Sequence, residues 1–309
     1  YSARDLAVLR GKIENIPILL GSATPSLESL HNVKLDKYSH LHLTQRPAGV
    51  TKEKYSIINL KHERLVNGFS DRLIEMINNN LKKKGQVLIF LNRRGFSPVL
   101  LCAECKWIAV CSQCDARLTF HLSKNIMQCH HCGIESLQPD SCPECQNKEL
   151  LKIGLGTERI EEHLKTIFPQ TRIIRIDKDS TRKKDSFTRL LQEIKDGEPA
   201  ILIGTQMLAK GHHFQNVTLS VLVDIDSSFY STDFRAEEQL GQIILQVGGR
   251  SGRNVREGSV AIQTHFPTQP LLNTLISDGY EVFAQKLLDA RRDNGLPPFK
   301  YQAVLRAES

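Results

Sequence analysis

The stretch Gln86-Val87-Leu88-Ile89-Phe90-Leu91 continues as Asn92-Arg93-Arg94-Gly95-Phe96 and reaches Cys102 six residues later. An uncharged apolar run of this length describes a strand buried on both faces, the kind found in a parallel sheet covered by helices. Working outward from it, short apolar runs recur at 16–20 (IPILL), 172–177 (RIIRID), 199–204 (PAILIG), 219–225 (LSVLVDI) and 258–263 (GSVAIQ). Amphipathic spacing predicts helices over about 70–83, 158–168, 185–195 and 234–247. Strands alternating with helices indicate an α/β fold with a mostly parallel sheet. A cysteine-rich block breaks this rhythm after the first strand of its lobe, and the rhythm resumes near Leu151, so the block reads as an insert. Pro297-Pro298 mark a boundary, and the YQAVLRAE that follows reads as the opening strand of a further domain.

The chain has 309 residues, 40% of them hydrophobic, enough for a sizeable core and about two domains. Lys and Arg number 41 against 34 Asp and Glu, giving a net charge of +7 and favouring a polyanionic partner. No apolar run approaches the roughly 18 residues a membrane span needs, and no secretory signal opens the chain. A cytoplasmic protein with no membrane partner is expected. The sequence opens at Tyr1 in what reads as mid-helix, so a longer parent protein is expected.

All eight cysteines fall in four C-x-x-C pairs: Cys102/Cys105, Cys111/Cys114, Cys129/Cys132 and Cys142/Cys145. Disulfide scaffolds spread their cysteines, whereas two such knuckles give the tetrahedral thiolate set that zinc accepts. Eight thiolates make two four-cysteine sites and two Zn2+ ions per chain. The inner pairs have zinc-ribbon spacing, leaving the outer pairs to share the second ion. This nested pairing is favoured over a sequential one, whose knuckles would be joined by only five residues. Four protein ligands leave no open position, so both sites are expected to be structural. His130 and His131 are read as surface residues, and Trp107, the sole Trp, as a packing residue or a stacking platform for a base.

Two loops carry a second chemistry. Gly204-Thr205-Gln206-Met207-Leu208-Ala209-Lys210-Gly211 follows a buried strand, and its small and hydroxyl residues allow close approach to a phosphate. Gln246-Val247-Gly248-Gly249-Arg250-Ser251-Gly252-Arg253 ends a predicted helix with two arginines three apart. Guanidinium groups so placed can stabilise charge on a transferred γ-phosphoryl, although a basic helix end also suits the helix dipole.

These loops, together with Gly21-Ser22-Ala23-Thr24-Pro25 and Asn92-Arg93-Arg94, follow the order of motifs III to VI of superfamily 2 helicases, which the chain resembles. FLNRRGF before paired knuckles, GLGTE at 154–158, GTQMLAKGHHF and a QxxGRxGR box narrow the resemblance to the primosomal replication-restart helicases. The likeness runs from ARDLA near residue 3 to LPPF at 296–299. It implies a RecA-like helicase lobe with an inserted binuclear zinc subdomain. In residue numbers, 1–46 would be the tail of a first RecA-like lobe and 47–101 the start of a second. The zinc insert would span 102–148, the rest of the second lobe 149–295, and a further C-terminal domain would open at 296–309.

The implied activity is an ATP-dependent DNA helicase moving 3′ to 5′, with ATP and Mg2+ as cofactors, acting at stalled or abandoned forks to promote primosome assembly. Its partners would be forked and single-stranded DNA, primosome proteins and single-stranded DNA-binding protein. Gln246, Arg250 and Arg253 would face the nucleotide. Gly21, Ser22, Ala23, Thr24, Gly204, Thr205, Gln206, Lys210 and Gly211 would couple nucleotide to DNA. Asn92, Arg93, Arg94, Gly156 and Thr157 would contact DNA. The family box usually carries Ala at the positions of Gly248 and Ser251. No G-x-x-x-x-G-K-[ST] loop and no Asp-Glu dipeptide occur here, so this chain alone is expected to be inactive. The competing reading is a non-catalytic zinc-ribbon module that binds DNA or protein on an α/β scaffold.

Overall fold

The structure is a computed structural model. It describes residues 2–43, 53–61, 63–91, 99–102, 104–105, 107–114, 118–121, 126–129, 132–153, 157–176, 192, 194, 197–205, 214, 216–229, 231, 233–251 and 258–303. These fall into two compact units, 1–44 with 273–309, and 45–272.

In the first unit, α1 (Ala3–Glu14) ends on Asn15 in the left-handed conformation, and α2 (Leu27–Lys34) starts at the Ser26 cap, whose hydroxyl accepts the Ser29 N–H at 3.2 Å. The run 16–20 between them, expected to be a buried strand, is extended coil, with Leu19 87% exposed. Among the described residues of this unit there is no strand to pair with it, and a lone strand leaves its backbone groups to water.

The second unit opens with β1 (Lys54–Asn59), a strand that sequence reading passed over because polar residues dilute its apolar content. A small hairpin, β2 (Leu65–Val66) and β3 (Phe69–Ser70), leads into α3 (Asp71–Lys82), which buries Leu73 and Ile77, one helical turn apart. Then come β4 (Gln86–Leu91), β5 (Val99–Cys102), β6 (Thr119–His121), β7 (Ile126–Gln128), β8 (Glu135–Leu137) and β9 (Leu150–Ile153). After α4 (Thr157–Ile167) follow β10 (Arg172–Ile176), β11 (Ala200–Gly204), β12 (Val217–Val223), α5 (Ala236–Gly248) and β13 (Ser259–Thr264). The helices α6 (Pro270–Ser277) and α7 (Tyr280–Asp293) come last. Within the first unit, the Tyr280 hydroxyl donates to the Pro25 carbonyl at 2.7 Å.

Six strands form one sheet in the order β1-β13-β12-β4-β11-β10, every neighbouring pair parallel. This is the α/β parallel sheet expected from the sequence. All six residues of β4 are buried, as its uncharged composition requires. Val87, Ile89 and Leu91 join Ile201, Ile203, Val221, Leu73 and Ile160 in one core cluster, while Leu88 and Phe90 are buried on the opposite face.

The insert follows the second strand of this sheet in chain order, not the first, because β1 precedes β4. It rises on a stem outside the main sheet. There β5 pairs antiparallel with β9, from Val99 opposite Ile153 to Cys102 opposite Leu150. The predicted helix at 185–195 falls almost wholly outside the described residues. Of the C-terminal strand expected at 301–308, the described residues 301–303 are not strand and Tyr301 is fully exposed.

Candidate metal centre and motor loops

The eight cysteines gather as two nested groups, Cys102, Cys105, Cys142 and Cys145 outside, and Cys111, Cys114, Cys129 and Cys132 inside. In each group the sulfur atoms all lie within 4.8 Å of one another. Across the outer group, Cys102 faces Cys145 and Cys105 faces Cys142, both at 3.5 Å; across the inner, Cys111 faces Cys132 and Cys114 faces Cys129, both at 3.4 Å. A zinc tetrahedron with Zn–S near 2.3 Å has S–S edges of roughly 3.8 Å, so each group fits one ion. Ionisation agrees. Burial pushes the Cys102 thiol up, but the Cys105 and Glu104 amides bring it down to about 7. The Trp107 amide pulls Cys105 down, yet burial and its three sulfur neighbours drive it up to about 12. Four thiolates crowd each other unless a cation sits among them. Each group therefore takes one Zn2+, two in all, with every ligand position filled by protein.

Local structure explains the inner group. The antiparallel sheet β6-β7-β8 holds Phe120 and Met127 opposite each other, and they pack with Leu100, Ala109, Leu118 and the buried Cys111 and Cys129. The turn after Cys129 is closed by Gly133 N–H donating to the Cys129 carbonyl at 2.8 Å, with Gly133 at φ +83. Trp107 packs against this cluster, so the packing reading of that side chain holds for its inward face. The outer group sits at the stem, where Cys102 ends β5 and donates its N–H to the Trp107 carbonyl at 2.8 Å. His130 and His131 lie outside the described residues.

The described residues that open the two candidate loops stand at opposite edges of the main sheet. Gly204 ends β11, and Thr205 follows it at the C-terminal edge. Arg250 lies two residues beyond α5, whose Gly248 abuts Tyr55 and Val260, register partners near the start of β1 and β13. With strands of 5–7 residues, the two edges are roughly 20 Å apart. Gln246 is on the last turn of α5. A Cβ on Gly248 would collide with the Tyr55 hydroxyl, and the Ser251 hydroxyl donates to the Gly248 carbonyl at 2.8 Å. The two departures from the family's alanines thus fit their surroundings.

In the first unit, the Ser22 hydroxyl accepts the Thr24 N–H at 3.0 Å and Thr24 is buried, so the Gly21-Ser22-Ala23-Thr24 loop is a closed turn leading to α2. Thr157 begins α4. Asn92, Arg93, Arg94, Gly156, Gln206, Lys210, Gly211 and Arg253 lie outside the described residues. Sequence reading missed Asp226, His265 and Thr264, which hydrogen-bond together where β12 and β13 end. Their signal is three-dimensional, since 38 residues separate Asp226 from Thr264.

A six-stranded parallel α/β lobe carrying an insert with two four-cysteine zinc sites is the class these features define. The family model for the PriA DNA helicase Cys-rich region matches residues 111–136. The replication restart protein PriA of Haemophilus influenzae is 50% identical over 309 residues, covering 100% of this chain and 42% of that protein. PriA of Bacillus subtilis is 36% identical over 309 residues, covering 99% of this chain and 38% of that protein. Similarity to these PriA proteins runs along the whole chain, which spans less than half of their length. Yeast Dbp5 bound to RNA and ADP BeF3 is a looser likeness in fold, at a TM-score of 0.44 and 14% identity, covering 93% of this chain and 60% of that one.

Proposed function

We propose that this chain is the second motor lobe, zinc module and adjoining parts of an ATP-dependent DNA helicase. The whole protein translocates 3′ to 5′ on single-stranded DNA, acts at stalled or abandoned forks and promotes primosome assembly in the cytoplasm. Single-stranded DNA-binding protein and primosome proteins are its partners. Residues 1–46 belong to the first lobe, 47–101 and 149–295 to the second, 102–148 to the zinc insert and 296–309 to a further domain.

The observation that carries this reading is the separation of Gly204-Thr205 from Arg250 at opposite sheet edges. A motor needs two such places, one for the DNA backbone and one for nucleotide charge, joined by a stiff sheet. Gly204, Thr205, Gln206, Lys210 and Gly211, with Asn92, Arg93, Arg94, Gly156 and Thr157, serve the DNA side. Gln246, Arg250 and Arg253 serve the nucleotide, and Gly21, Ser22, Ala23 and Thr24, together with Gly204, Thr205, Gln206, Lys210 and Gly211, couple the two. Phosphoryl transfer also needs a phosphate-cradling lysine and a Mg2+-holding acid, whose motifs are absent from this sequence.

The test is a pair of assays. The full-length protein unwinds a fork with ATP and Mg2+, and the 309-residue chain binds single-stranded DNA weakly, loses it in salt, and hydrolyses no ATP. A full-length protein that binds DNA but neither hydrolyses ATP nor unwinds it overturns the motor reading in favour of a non-catalytic zinc module.

A further inference from the structure

The two cysteine groups differ in what surrounds them. Cys111 and Cys129 of the inner group belong to an apolar cluster with Phe120, Met127 and Leu118; Cys114 packs against it, and only Cys132 is exposed. No outer cysteine belongs to that cluster, and two of the four, Cys105 and Cys145, are exposed. Each exposed outer sulfur has a buried sulfur 3.5 Å away on the opposite knuckle, Cys145 against Cys102 and Cys105 against Cys142. Oxidants reach thiolates by exposure, and a neighbouring thiolate resolves the product.

We propose that the outer cysteine group is a reversible oxidation site, at which a peroxide replaces zinc by disulfides that cross between knuckles, while the inner group stays a structural zinc site. The exposed Cys145 sulfur attacks one peroxide oxygen, the O–O bond breaks, and hydroxide leaves, giving a sulfenic acid. The Cys102 thiolate then attacks that sulfur, the S–O bond breaks, and a second hydroxide leaves as the S–S bond forms. Two thiolates lose two electrons, and the two peroxide oxygens gain them. Cys105 and Cys142 react in the same way with a second peroxide. Zinc, stripped of its ligands, departs, and a dithiol reductant reverses the oxidation. Cys102 and Cys145 are 43 residues apart, at the two ends of the insert, so the disulfide keeps the insert closed where chelation would open it.

The zinc-loaded chain is treated with hydrogen peroxide while a chromogenic chelator records free zinc, and the products are mapped by alkylation and peptide mass spectrometry. The expected result is one zinc released per chain, with the second at least about tenfold slower. Cys102–Cys145 and Cys105–Cys142 disulfides form, and dithiothreitol with added zinc restores two ions. Cys145→His keeps a zinc ligand but cannot bond to Cys102, and should slow the first release. If that variant fails to fold, the wild-type disulfide map decides alone. Simultaneous loss of both ions, loss of the inner ion first, or disulfides confined within single knuckles would each overturn the proposal.

Discussion

Asp226 holds His265 twice: its Oδ2 accepts the His265 backbone N–H at 2.9 Å and lies 2.8 Å from Nδ1, while Oδ1 accepts the hydroxyl of the buried Thr264. One carboxylate thereby fastens the exits of β12 and β13, the edge from which Thr205 also emerges. Asp226→Ala leaves the Thr264 hydroxyl without this acceptor and frees the His265 turn. The expected loss is about 2–3 kcal/mol, since hydrogen bonds to a charged group are worth roughly 1.5–3 each and this site is partly solvated. Asp226→Asn, which keeps an acceptor for Thr264, should lose about half as much. Urea unfolding of both variants checks this, and equal loss in the two would show that the acceptor at Thr264 contributes little.

The zinc sites give a sharper expectation. Metal analysis of the purified chain should return two zinc ions. Cys111→Ser removes a ligand from the cluster that also contains Phe120 and Met127, so the insert should lose order. The six-stranded sheet has its own core around Val87, Ile89 and Ile203 and should survive. Amide exchange separates the two regions: protection collapsing in β6 and β7 but persisting in β4 and β12 is the expected pattern.

Much of this was legible in the sequence, and the reason differs by element. β4, β11 and β13 stand where apolar runs stood, because a strand buried on both faces tolerates no charge at its centre, while β10, which also stands at its run, is an edge strand and so carries Arg172 and Arg175. The cysteine pairing was legible because zinc imposes its own geometry on C-x-x-C spacing. Failures came where a segment's fate depends on a neighbour. The run 16–20 has strand composition but no partner strand in its unit among the described residues, and Lys54–Asn59 is a diluted strand that gains its place by pairing with β13. The Asp226 clamp was invisible because neither its spacing nor its residue types mark it.

Gly248 tests how local the family departures are. Ala is the better helix former by about 1 kcal/mol, yet its Cβ would strike the Tyr55 hydroxyl. Gly248→Ala should therefore destabilise the chain. Adding Tyr55→Phe removes the struck oxygen and should recover much of the loss. Thermal melts of the single and double variants decide, and a single variant as stable as wild type would mean the Tyr55 ring shifts freely.

His163 supplies a pH dependence. Its Nε2 is buried without a hydrogen-bond partner among the described residues, and its ring lies 6.0 Å from that of Phe69. Burial, and then the nearby Arg159 charge, lowers its pKa below 6.5. The unfolded chain thus takes up the proton first. Stability is fully present above about pH 6.5 and falls as pH drops through the lowered folded value. His163→Leu should flatten this part of the profile, measured as denaturation midpoints between about pH 5 and 7. An unchanged slope would assign the dependence to other groups.

Arg250 carries the strongest catalytic expectation. It follows α5 by two residues, and the helix end is fixed by Ser251 donating to the Gly248 carbonyl and by the Ser220 hydroxyl donating to the Val247 carbonyl at 3.0 Å. A guanidinium on so firm a support loses little freedom on meeting charge. If Arg250 and Arg253 meet the γ-phosphoryl only in the transition state, replacing either with Ala in the full-length protein should lower kcat far more than nucleotide affinity. Arginines in this role are worth on the order of 10³ to 10⁵ in rate. Lys should rescue poorly, because an ammonium lacks the planar fork. DNA affinity should stay near normal, since Gly204 and Thr205 lie at the other edge of the sheet. Steady-state ATPase on forked DNA, run beside a DNA-binding titration, makes the measurement. Turnover within about threefold of wild type in both Ala variants would leave Arg250 as a half-buried basic residue beside a helix end, a placement that contributes at most about 2 kcal/mol to stability.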